Sequence, residues 1–269
     1  MVTVVKIELP EVCLATLLPP ASRVTGSATE VWKGFIRTHA SGDIEAFIKV
    51  LPAQQIVSEV AASLLGRALK LPIPTPYLVR VTKSSLPLSN VWNNVFNDVI
   101  AFATEQAPGS QFYRYIEAGS VGMERLRKWH MFKKTALFDE WIANGDRHRG
   151  NILFNGVDKF WLIDHSHAFT SESWQPQTLN SDALVRNQLI DDMKLTDMGE
   201  KHLWIESAND ESKLYVAIES NSLGVSGHMS SYASDKYIES ATTFVEQRAY
   251  KVASLVKRRL GLEELSYGQ

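Results

Sequence analysis

Asn144-Gly-Asp-Arg-His-Arg-Gly-Asn151 and Phe160-Trp-Leu-Ile-Asp164 set an acid, an amide and a second acid in order along the chain. Phosphoryl transfer from ATP needs those types. One carboxylate, Asp146, faces the attacking hydroxyl, while an amide oxygen at Asn151 and a carboxylate at Asp164 hold Mg²⁺ on the phosphates. The five-position step from Asp146 to Asn151 matches the spacing of a kinase catalytic loop.

Ile152-Leu-Phe154 and Phe160-Trp-Leu-Ile163 are short apolar runs on either side of the turn signal Asn155-Gly156. A hairpin there returns Asp164 to the end that holds Asn151, as two ligands of one or two Mg²⁺ ions require. The same pattern expects a β hairpin from Val31-Trp-Lys-Gly-Phe-Ile36 and Glu45-Ala-Phe-Ile-Lys-Val50 through Ser41-Gly42-Asp43. A helix follows over 54–71, with Val60, Leu64, Leu65 and Ala68 on one face and Pro72 as its stop, then a strand at 77–81. This order places Lys49 at a strand end and Glu59 in the next helix. That is where a phosphate-gripping lysine and its orienting carboxylate belong, the alternative being two surface charges.

Ser22-Arg-Val-Thr-Gly-Ser-Ala-Thr29 stands where a phosphate lid should be, with Gly26 and Ser27 as its turn and hydroxyl, although an ordinary solvated turn fits the same residues. Residues 100–106 read as a last strand and hinge, and main-chain groups of Thr104, Glu105 and Gln106 are expected at the adenine edge. One amphipathic helix is expected over 123–143 and another over 235–260. The cations Arg248, Lys251, Lys257, Arg258 and Arg259 of the latter read as a solvated face.

The 269 residues, 45% hydrophobic, are enough for one large domain or two lobes sharing a cleft. With 28 Lys plus Arg against 30 Asp plus Glu, no basic excess signals a nucleic-acid partner. No apolar run approaches the roughly 20 residues that span a membrane. The early Lys6, Glu8 and Glu11 make a poor secretory signal. The single cysteine, Cys13, reads as a small buried hydrophobe in a reducing, cytoplasmic compartment.

With these pieces placed, the chain resembles the HipA-like kinases, specifically their compact bacterial branch. The resemblance runs through Gly26-Ser27, Phe47-Ile-Lys49, Glu59, Leu71-Pro-Ile-Pro74, Gly145-Asp-Arg-His-Arg-Gly-Asn151 and Trp161-Leu-Ile-Asp-His165. The Asp146-Arg-His148 wording is also similar to phosphoinositide 3-kinases, but His165-Ser166 replaces their Phe-Gly after the metal-binding acid.

The resemblance implies an α+β, bilobal protein-kinase-like fold, with a small β-rich lobe over 1–108 and a mostly helical lobe over 109–269. It implies ATP and Mg²⁺ as cofactors, Asp146 as catalytic base with His148 sharing the work, Asn151 and Asp164 as metal ligands, and Lys49 on the phosphates positioned by Glu59. It further implies a protein serine/threonine substrate, autophosphorylation at Ser27 or Thr29, and an antitoxin partner. Three other readings stay open: a nucleotide-binding pseudokinase, a relative that transfers AMP, and a metal-dependent hydrolase that uses His130, His148, His165 and His167 with Asp146 and Asp164.

Overall fold

Alternation of buried and exposed residues builds the N-terminal part. In β3 (Val31–Thr38) Trp32, Gly34 and Ile36 point inward, and in β4 (Gly42–Lys49) Ala46 and Ile48 do. The two pair antiparallel along their whole length, from Val31 opposite Lys49 to Thr38 opposite Gly42. The structure is a computed structural model, and it describes residues 5–26, 29–87, 89–93, 98–107 and 121–262.

Two strands that period and composition did not announce, β1 (Cys13–Leu17) and β2 (Ser22–Arg23), precede this hairpin, and β5 (Pro76–Val81) and β6 (Val99–Glu105) follow it. The sheet runs β1-β5-β6-β4-β3-β2, and β1 pairs with β3 as well as β5, so five strands form a closed ring of pairings. Closure removes two sheet edges. It also encloses a core of its own, where Leu17, Trp32, Ile36, Ile48, Val79 and Ala103 meet. Cys13, the first residue of β1, is exposed, contrary to its expected burial; within that strand only Leu17 is buried.

Helix α1 (Ala53–Ala68) follows β4 after Pro52 and is buried without interruption from Ile56 to Gly66. It ends before Pro72, where Lys70 adopts a left-handed φ of 63° and the Leu71 N–H returns to the Gly66 carbonyl. Gly66 is required by packing: a Cβ there would sit 2.3 Å from Ile73 Cδ1 and 3.1 Å from Phe138 Cζ.

Both long helices expected from periodicity are broken. The first is α2 (Val121–Lys128) and α3 (Phe132–Trp141), separated where Trp129 turns onto Phe160 at 5.1 Å between ring centres. After α4 (Gln188–Asp191), α5 (Met198–Ala217) and the short α6 (Leu223–Ser226), the second is split into α7 (Asp235–Ala249) and α8 (Val252–Arg259). At that split Lys251 bonds Ser181 Oγ at 2.8 Å and Asp182 Oδ2 at 2.7 Å. Two cations of this region do not lie on a solvated face, since Arg248 has no exposed surface and the Arg259 side chain only 8%, while Arg258 is exposed as expected and Lys251 and Lys257 are half-buried.

Arg248 and Arg259, together with the exposed Arg258, hold one turn and the extended run that follows it. Arg248 donates to the carbonyls of Ser181 (3.0 Å) and Ala183 (2.9 Å), Arg258 to that of Asp182 (3.1 Å), and Arg259 to that of Val185. The fold is therefore mixed α+β, β-rich in its N-terminal part and helical in its C-terminal part. No helix among the described residues is long and apolar enough to cross a membrane.

Candidate active site

Register places Lys49 as the last residue of β4, and the first turns of α1 carry Glu59 back across it. Lys49 Nζ lies 2.7 Å from Glu59 Oε1 and 3.0 Å from Asp164 Oδ1, with 15% of its side chain exposed and 1% of that of Glu59. These are not surface charges. Burial works against ionisation of both groups, but mutual attraction outweighs it: the Lys49 ammonium is held up by Glu59 and Asp164. The Glu59 carboxyl is held down to about 2, burial being overcome by Lys49 and by the hydrogen bond from His165.

The hairpin of β7 (Ile152–Phe154) and β8 (Phe160–Leu162) performs the expected return. Ile163 N–H reaches the Asn151 carbonyl at 3.1 Å, so Asp164 stands one residue beyond the partner of Asn151. Asp164 takes a φ of 58°, costly for a residue with a Cβ and found where a site fixes the backbone. Its next neighbour secures it: the His165 N–H donates to Glu59 Oε2 at 2.9 Å, and the Ser166 hydroxyl donates to Asp164 Oδ1 at 3.0 Å. Burial and then the nearby Arg147 cation push the His165 imidazole below its usual range, which keeps it neutral.

Arg147 is the residue that sequence reasoning passed over. Fully buried, it pairs with Asp139 of α3 at 3.0 Å and donates to the carbonyls of Asn151 (3.1 Å) and Ile163 (2.7 Å). One guanidinium thus ties α3, the Asp146 loop and the Asp164 strand end. Asn144 adds a bond to Asp139 Oδ1 at 3.1 Å. An arginine inside the motif, eight positions after an acid on a helix expected to be buried, was the available signal.

On this support Asn151 Nδ2 donates to the Asp146 carbonyl at 2.8 Å and approaches Asp146 Oδ2 at 3.4 Å. No described residue donates to Asn151 Oδ1, which leaves a hard oxygen available on the residue whose carbonyl takes the Ile163 N–H, one position before Asp164. Asn151 Oδ1 and the Asp164 carboxylate suit Mg²⁺, which is held by few protein oxygens together with substrate phosphates. His148 Nδ1 accepts the Gly150 N–H at 2.9 Å, so its neutral ring carries the proton on Nε2, 3.7 Å from Asp146 Oδ2.

Gly26, at a φ of 82°, turns the β2–β3 connection, whose last residue before the strand ladder leads to Val31, the partner of Lys49. Ser27 lies outside the described residues. Thr104 and Glu105 end β6, on the ladder that pairs Phe102 with Lys49. The N–H groups of Glu105 and Gln106 already donate to Thr75 and Glu45, so a base at this edge would meet carbonyls of these residues. The structure brings Lys49, Glu59 and Asp164 together, and Asp146, His148 and Asn151 together, and joins the sets through the hairpin.

The histidines of the zinc reading disperse. His148, His165 and His167 approach Asp146 (3.7 Å), Glu59 (3.7 Å) and Glu172 (3.5 Å) respectively. Among the described residues, no three of His, Cys, Asp and Glu converge to hold a metal ion.

Residues 42–210 match the family model described as HipA-like kinase. No curated protein matches the chain. Among solved structures, the chain is similar to the crystal structure of a Helicobacter pylori proinflammatory kinase, CtkA, with 14% identity and a TM-score of 0.54, over 96% of this chain and 100% of that one. At that identity the likeness speaks for the fold alone.

Proposed function

The chain belongs to the HipA-like kinase family, and from that premise we propose that it is an ATP- and Mg²⁺-dependent protein serine/threonine kinase, bilobal, with its cleft between residues 1–108 and 109–269. The observation that carries this reading is Lys49 Nζ shared between Glu59 at 2.7 Å and Asp164 at 3.0 Å. A strand lysine held by a helix carboxylate beside a metal-binding acid is what grips ATP phosphates.

In the reaction, the substrate hydroxyl oxygen attacks the γ-phosphorus, the bond to the β-phosphate oxygen breaks, and ADP leaves. Asp146 orients the hydroxyl and accepts its proton, and the Nε2–H of His148 stands beside the same carboxylate. Lys49 neutralises phosphate charge, and Glu59 fixes its direction. Mg²⁺, when bound through Asn151 Oδ1 and the Asp164 carboxylate, neutralises charge on the phosphates. The rest is positioning: Arg147 and Asp139 hold the two segments in register so that little reorganisation remains at the moment of transfer. We read the protein as cytoplasmic, acting on a protein substrate and answering to an antitoxin partner.

The test is transfer from γ-labelled ATP with Mg²⁺ into a bacterial lysate, comparing wild type with Asp146→Ala and Asp164→Ala. Label placed only by wild type, with ATP binding retained in Asp146→Ala, is the expected result. A fully active Asp164→Ala enzyme would overturn the assignment. A product heavier by AMP instead of phosphate would reassign the transferred group.

A further inference from the structure

Beyond the turn that the Ala183 N–H closes on the Asn180 carbonyl at 3.0 Å, residues 183–187 alternate with a period of 2: Ala183 and Val185 are half-buried, Asn187 buried, Leu184 and Arg186 exposed. That is the signature of a strand, yet among the described residues it pairs with none. Arg248 and Arg258 hold the turn through the carbonyls of Ser181 and Asp182, and the run after it is kept extended by Arg248 on the Ala183 carbonyl, Arg259 on that of Val185, and Asn187, whose Nδ2 donates to the Ala136 carbonyl at 2.8 Å. An unpaired strand held this firmly has been pre-organised for something.

Its position says for what. A Cβ added to Gly145 would lie 2.9 Å from Val185 Cγ1 and 3.9 Å from the Arg186 carbonyl, so the segment packs on the residue immediately before Asp146. Among the described residues, the main-chain N–H groups of Leu184, Val185 and Arg186 find no acceptor, and Arg186 has no ion-pair partner. Leu184, 44% exposed, stands two residues away on the same outward face.

Resting on the kinase reading above, we propose that residues 183–186 are the docking edge for the acceptor polypeptide. The acceptor lies extended beside this edge and takes main-chain hydrogen bonds from it, as peptides do when they add a strand. Leu184 receives an apolar side chain, and Arg186 selects an acidic residue near the hydroxyl delivered to Asp146. The occupant is an extended serine- or threonine-containing segment with a carboxylate, because the unpaired charge on this edge is a cation and flanking charge of opposite sign sets register and excludes other partners.

The test uses the full chain, γ-labelled ATP with Mg²⁺, and a degenerate peptide library centred on Ser or Thr, with label and ADP both measured. Wild type should enrich Asp or Glu about threefold at one flanking position, as expected for an exposed charge pair. Arg186→Ala should abolish that preference and Arg186→Glu should replace it by Lys or Arg, while Leu184→Asp should remove a preference for apolar residues. Labelling with no acidic preference, or with one that survives in Arg186→Glu, overturns the docking edge and leaves the kinase reading standing. ADP without peptide label does the same. Neither label nor ADP, despite a folded protein, overturns both.

Discussion

With its ammonium 2.7 Å from Glu59 and 3.0 Å from Asp164, Lys49 makes the lysine, the helix acid and the acid that ends the hairpin one unit. Because Glu59 is held at about 2 against an ordinary 4.5, it stabilises the fold fully above pH 4.5. That contribution is lost as pH falls towards 2, below which both states are protonated. Urea unfolding across a pH series should therefore show Glu59→Gln less stable than wild type at pH 7, with the gap closing between about 4.5 and 2. A gap constant down to pH 2 would exclude the ion pair as its source. Ser166 acts one step further out, through the hydrogen bond to Asp164 Oδ1. Removing such a support weakens metal binding 10- to 100-fold. Ser166→Ala should raise the Mg²⁺ concentration for half-maximal rate by about tenfold while the rate at saturating Mg²⁺ changes little.

Among the elements, α1 was legible because Pro52 and Pro72 bracket it and its apolar positions repeat every three to four residues. The hairpin β3–β4 was legible because turn residues separate two alternating runs. Helix α5 was not, since its buried residues are only Trp204, Ala208, Tyr215 and Ala217 among many charges, and the stripe is too narrow to announce itself. The breaks at Trp129–Met131 and Tyr250–Lys251 were also hidden, because the apolar stripe continues through them and only contacts with Phe160 and Ser181 decide them. Gly66 shows the reverse case, a residue whose meaning in α1 depends on Ile73 and Phe138. Gly66→Ala would gain helix propensity, but the clash dominates, and overpacking of this kind costs about 1–3 kcal/mol. Denaturant titration should show that loss as a lower midpoint with an unchanged slope.

Across the whole molecule, two separate cores are joined where α1 passes from the strand ring to the helices, and the candidate site lies along that passage. Arg248 secures the helical side through the carbonyls of Trp141, Ser181 and Ala183. Arg248→Ala strands the buried network around Glu140 and should cost about 3–5 kcal/mol, lowering Tm by roughly 10 °C in a thermal melt. The sequence by itself determined the placement of Asp146, Asn151 and Asp164, since they lie on one loop and one hairpin whose spacing is local. It also determined the Lys49–Glu59 pair, because a strand end and the helix directly after it meet without help from distant residues. Tertiary structure alone decided the closure of the ring by β1, the burial of Arg147 and Arg248, the dispersal of the histidines, and the extended segment beside Gly145. Each of these depends on partners far away in sequence, and neither period nor propensity carries information about which distant carboxylate or carbonyl a side chain will find.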